Sequence, residues 1–169
     1  MSGVMFWVFD GLSYGLFPLL TLILPGSAAL LHALFYFPAT LGLLIVRKPG
    51  AYVLLVASFV EVVLGTKYSV SLVVIALVQA LAAEAVFAVF RYRRWTLGVT
   101  LLSAVAIGIV YNFYLLFFYY QAFSFFSPRG LIGTACELLS AVVFAGFGSW
   151  VLYRALAKSG VLTRFASGR

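Results

Sequence analysis

Apolar residues run along this chain in long stretches separated by short polar breaks. The stretches cover 4–24, 27–46, 51–65, 70–90, 95–121 and 131–156. The breaks are Pro25-Gly26, RKPG, GTKYS, RYRR and SPRG, each joining turn formers or charges to an end of the apolar pattern. A transmembrane helix needs about 20 apolar residues. The pattern therefore predicts an all-α integral membrane protein, a single domain over 1–169 built as a bundle of six transmembrane helices. The third stretch would span roughly 22 Å as a helix, short of a ~30 Å hydrocarbon core. That length suits a kinked or re-entrant segment, or one surrounded by protein.

Composition supports the same class. Hydrophobic residues make up 65% of the chain and charged residues 9%, too few charges to cover the surface of a soluble domain. The net charge of +7 lies in short loops, where it reads as a topology signal and a contact to anionic lipid. No nucleic-acid motif accompanies it. Arg47, Lys48, Arg91, Arg93, Arg94, Arg154, Lys158, Arg164 and Arg169 fall on one side of the predicted bundle, and only Lys67 and Arg129 on the other. The positive-inside rule then makes both termini cytoplasmic. The N-terminus lacks a basic n-region, and Asp10 interrupts its apolar run, so the first segment reads as a retained helix. The lone Cys136 reads as a small packing residue, with no disulfide framework or metal cluster in the chain.

The acids carry more information. Asp10, Glu61, Glu84 and Glu137 are the four acidic residues, and all lie inside predicted spans. An ionised side chain at the bilayer centre costs about 2.5–3.5 kcal/mol on insertion scales, so it faces the bundle interior or a cavity and marks function. The bland alternative is a carboxyl satisfied by hydroxyl or backbone groups, or protonated by burial. Depth separates the four. Glu61 and Glu137 lie toward the outer side with Gln79 and Asn112 at middle depth, and these could converge on an outward-opening cavity. Asp10 and Glu84 lie nearer the cytoplasmic side, as candidates for coupling contacts or buried hydrogen bonds.

Aromatic residues supply the other wall. Most of the run Phe117–Phe126 reads as an interfacial belt. Tyr111 and Tyr114 flank Asn112 deeper in the helix and are better site candidates, with Tyr36 and Trp7 behind them. Carboxylates, amides and ring faces together suit a flat, nitrogen-rich cation. His32 reads as a helix-packing histidine rather than a ligand. Gly11 and Gly15 form a GxxxG pair. Ala76, Ala80 and Ala88 share a stripe with Glu84, and Ala141, Ala145 and Ser149 repeat the device in the last span. Such stripes serve packing within the bundle or docking to another membrane subunit.

The run LIVRKPGAYVLLVASFVEVVLG followed by LVVIALVQALAAEAVFAVFRYRRW resembles the YkoE-type substrate-binding S components of energy-coupling factor (ECF) transporters. The resemblance rests on RKPGA at 47–51, VExxLG at 60–65 and VQxLxAEAVF at 78–87, with support from IVYNFY and from SAVVFAG at 140–146. It implies a non-catalytic six-helix subunit in a prokaryotic plasma membrane, capturing a vitamin outside the cell without a cofactor. It implies partnership with a transmembrane T component and two cytoplasmic ATPases, and thiamine or its hydroxymethylpyrimidine precursor as substrate. Glu61, Gln79 and Glu84 are the family-like positions, while relatives carry an acid where Asn112 stands. Another amine-bearing vitamin remains open, as do a lipid-directed membrane enzyme and a structural subunit. The chain has no Walker A, HExxH or GxSxG motif to favour an enzyme.

Overall fold

Pro38 divides the second apolar stretch into two kinds of helix. In the computed structural model of the chain, which describes residues 15–16, 18–20, 22, 27–56, 70–118 and 126–162, Ser27–Phe35 is a 3-10 helix and Phe37–Val46 an α-helix, α1, with proline in its first turn. Proline offers no N–H and its ring crowds the preceding turn, so a regular α-helix is kinked or broken there. Residues 51–56 are helical, and α2 (Val70–Val89) and α3 (Leu97–Phe118) follow. The last stretch starts at α4 (Pro128–Ser140), where Ser127 caps the helix by accepting from Gly130 N at 3.2 Å. It widens to a π-helix over Ala141–Gly148 and closes as α5 (Ser149–Lys158).

Among the described residues, Ala29–Val46, Leu97–Phe117 and Gly130–Lys158 are long and apolar enough to cross a membrane, with Val73–Val89 a shorter apolar helix. The first two and the short helix fall within the second, fifth and fourth predicted stretches, and Gly130–Lys158 extends the sixth, 131–156, by one residue at its start and two at its end. Most of the first stretch, and the third beyond residue 56, lie outside the described residues. Leu81, Val89, Leu139 and Phe147 are all more than half exposed, a surface that suits lipid and not water.

Apolar burial drives helix association weakly in lipid, so close approach and hydrogen bonds hold the bundle. The 3-10 helix packs on α4, α2 on α3, α3 on the π-helix and α1 on α5. Ser140 Oγ donates to Leu30 O at 2.5 Å and accepts from Ala33 N at 3.3 Å. Ser149 Oγ donates to Phe37 O at 3.2 Å. These two serines bracket the π-helix and tie it to the 3-10/α junction. Ser103 Oγ donates to Ala83 O at 3.2 Å, joining α3 to α2. Of the small-residue stripes, Ala80, Ala141, Ala145 and Ser149 are buried inside the chain, which is the packing role. Ala76 packs partly against the core, Ala88 is exposed, and a Cβ at Gly15 would meet nothing within 4 Å.

Gly146 shows how tight the fit is. A Cβ there would stand 2.8 Å from Leu101 Cδ2, 3.3 Å from Ala104 Cβ and 3.4 Å from Leu101 Cα. Gly146→Val is therefore expected to lower stability by about 1–3 kcal/mol through overpacking, read as a lower thermal midpoint in detergent. An unchanged midpoint would contradict this packing of α3 on the π-helix.

Candidate functional site

The 3-10 helix and α4 meet at Glu137. Its carboxyl is fully buried on α4. Oε1 accepts from His32 Nδ1 of the 3-10 helix at 2.6 Å. Oε2 is buried and, among the described residues, has no hydrogen-bond partner. One turn earlier on the same helix, Thr134 Oγ1 is in the same condition. Positions three apart on a helix share a face, so the two orphaned oxygens lie on one strip of α4. Buried polar groups are otherwise almost always paired, and two together mark a place where polar contacts are incomplete.

Rings wall the same region. His32 stacks on Tyr111 of α3, with centroids 3.7 Å apart and planes 17° from parallel. Tyr114 lies next along, 6.3 Å from Tyr111 in a stacked arrangement, and the ring of Tyr36 is 5.4 Å from that of His32. The site thus draws its side chains from the 3-10 helix, α3 and α4. Irregular turns are common where helices carry function, because they re-aim side chains and free backbone groups.

Gln79 joins three elements and uses both ends of its amide. Its Oε1 accepts from Tyr36 Oη and its Nε2 donates to Ile107 O at 3.2 Å, with the side chain fully buried. Tyr36→Phe would leave Oε1 buried without that donor. It is expected to cost about 1–3 kcal/mol, measured by thermal unfolding in detergent; a neutral effect would mean the amide finds another partner. Asn112, also buried, donates from Nδ2 to Gly108 O of its own helix at 2.8 Å.

Glu84 belongs to a different site. Its Oε1 accepts from Gly50 N and from Tyr92 Oη, both at 2.7 Å, and its Oε2 from Tyr52 N at 3.0 Å. Gly50 has φ +78°, a conformation favouring glycine. The carboxylate thus fixes the RKPGA turn and supplies the N-terminal cap of the 51–56 helix from another helix. Burial, and then the bond to Glu84, push the Tyr92 phenol up to about 12, so it remains a donor at physiological pH. Of the two expectations for Glu84, the buried hydrogen bond is the one the structure displays.

The structure therefore brings Tyr36, Gln79, Tyr111 and Glu137 of the sequence candidates together, with Tyr114 alongside Tyr111. Asn112 follows Tyr111 on the same helix, with its amide nitrogen turned to its own backbone. Glu61, Asp10, Gly11 and Trp7 lie outside the described residues. His32 does pack, as the sequence suggests, but it also pairs with Glu137 across 105 positions, which no local pattern reveals. Thr134 went unnoticed; its place three residues before an intramembrane acid was the available signal. Among the described residues, no three His, Cys, Asp or Glu side chains group as metal ligands.

Three comparisons bear on this arrangement. Residues 1–110 match the family described as "ABC-type cobalt transport system, permease component". The chain is 30% identical over 142 residues to the "Putative HMP/thiamine permease protein YkoE" of Bacillus subtilis (strain 168), an alignment covering 82% of this chain and 70% of that protein. In three dimensions it is similar to a solved structure described as "Crystal structure of an S-component of ECF transporter", with a TM-score of 0.77 and 28% identity over 99% of this chain and 87% of the other.

Proposed function

The chain belongs to the S components of energy-coupling factor transporters, and from that premise we propose that it captures thiamine or its hydroxymethylpyrimidine precursor. The observation that carries the reading is the buried Glu137 carboxylate, one oxygen held by His32 and the other orphaned among the described residues. Both compounds contain an aminopyrimidine ring. Its exocyclic amine would donate to Glu137 Oε2, Thr134 Oγ1 would pair with a polar ring atom, and the ring face would lie along Tyr111 and Tyr114. A charge-assisted bond in a dry site is the strong kind. Gln79 and Tyr36 then hold the wall rather than read the ligand, and Glu61 and Asn112 complete the polar lining. The likeness to the Bacillus protein named for thiamine and hydroxymethylpyrimidine supports this substrate class.

In this reading the chain is a non-catalytic subunit of a prokaryotic plasma membrane, with six spans and cytoplasmic termini. Its cavity opens outward. A transmembrane T component and two cytoplasmic ATPases complete the importer and supply ATP hydrolysis. The family description that names cobalt gives a second reading, in which the cargo is a divalent cation.

Calorimetric titration of the purified wild type separates these. Thiamine and hydroxymethylpyrimidine are expected to bind, because they share the aminopyrimidine half, while the isolated thiazole alcohol and Co²⁺ give no heat. Binding of Co²⁺ with neither organic ligand would replace the vitamin assignment by the cation one. Binding of the thiazole alcohol alone would place recognition on the other half of thiamine.

A further inference from the structure

A second concave site lies at the other end of the bundle. His32 and Arg47 are separated by about four residues of 3-10 and eleven of α-helix, roughly 24 Å along the axis. Around Arg47 three sequence-distant segments form an open hollow of about 400 Å³, lined by Trp95, Trp150, Tyr153, Arg154 and Lys158. By the positive-inside reading this end faces the cytoplasm.

Arg47 is held firmly. Its guanidinium carbon lies 5.7 Å from the Trp95 ring centroid and 5.3 Å from that of Tyr153. Nε donates to Leu44 O at 3.3 Å and Nη2 donates to Tyr153 Oη. Arg154 and Lys158 are exposed on α5 and stand four residues apart, where like charges repel. Among the described residues no carboxylate pairs with any of the three cations. Among the described residues, the acid of α2, Glu84, is committed to the Gly50 turn.

We propose that this pocket binds the phosphate of an anionic membrane lipid headgroup. A pocket lined by three cations that, among the described residues, meet no carboxylate calls for an oxygen acceptor, and guanidinium groups match phosphate oxygens in pairs. Two tryptophans and a tyrosine at the mouth are the residues that sit best at headgroup level. Val151 lies three positions before Arg154 and seven before Lys158, so the three share a helix face; it is 48% exposed. An exposed apolar side chain thus stands on the same face of α5 as the two cations, a neighbour that suits the start of an acyl chain and that a free phosphate ion does not need.

Native mass spectrometry of the purified full chain, titrated with phosphatidylglycerol, phosphatidylcholine and inorganic phosphate, tests the site. Phosphatidylglycerol is expected to bind about tenfold more tightly than phosphatidylcholine, and inorganic phosphate not to displace it. The double variant Arg154→Gln/Lys158→Gln is expected to lose that preference, whereas Lys48→Gln, a charge removed from the same end but outside the pocket, keeps it. If the double variant melts early, Arg154→Gln alone is read instead, with about a threefold loss expected. Equal lipid preference in all variants would overturn the proposal, as would equal losses in Lys48→Gln. Displacement by inorganic phosphate would reassign the pocket to a soluble anion. Unchanged lipid binding with lost assembly onto the transporter's other subunits would make it a protein contact instead.

Discussion

Glu137→Gln is expected to weaken thiamine binding by roughly 10- to 150-fold, the range spanned by a hydrogen bond to a charged group of about 1.5–3 kcal/mol. The substitution keeps size and shape but removes the charge that Oε2 offers to a donor. His32 still has an oxygen to meet at the Oε1 position, so the ligand-free protein should unfold within a few degrees of the wild type. Thr134→Val removes a neutral partner and is expected to cost less, about fivefold. Titration calorimetry on both variants, with a thermal melt as the folding control, reads these effects. Wild-type affinity in Glu137→Gln would remove the carboxylate from the site.

Glu84→Ala is expected to have the opposite signature, with stability falling by about 3 kcal/mol or more and binding retained in what stays folded. Three donors converge on the Glu84 carboxylate, two from backbone N–H groups at a helix start and one from Tyr92. Removing it strands buried donors, each costing about 1–3 kcal/mol, and frees a turn that depends on the positive φ of Gly50. The midpoint of thermal unfolding and a thiamine titration on the same sample separate the two effects. Binding abolished with an unchanged midpoint would move Glu84 into the ligand site.

The sequence made the span boundaries legible because the breaks are chemical. RKPG and SPRG combine charges with Pro and Gly, RYRR is a cluster of arginines, and α1, α2 and α4 stop or start at them. Five residues on a helix turn Glu84 well away from Gln79, and the two side chains meet different partners. The 3-10 and π segments were hidden, because helices apolar on every side carry no periodicity from which a change of pitch could be read. The apolar pattern runs unbroken over 27–46 through Pro38, and nothing in it tells that the turns before that proline tighten to 3-10. The pairing of His32 with Glu137 and the hydroxyl links from Ser140 and Ser149 join residues more than a hundred positions apart. Such contacts are set by how the helices pack, and a single sequence does not display that. The partners of Gln79 were hidden for the same reason: its amide meets Tyr36 and the Ile107 carbonyl only once three elements are assembled.

The measurement that tests the central claim most directly is a crystal structure of the chain with thiamine bound. The exocyclic amine is expected within about 3 Å of Glu137 Oε2, with the pyrimidine face along Tyr111 and His32 still paired to Oε1. Thiamine seated elsewhere, with Oε2 of Glu137 satisfied by a protein group, would contradict it.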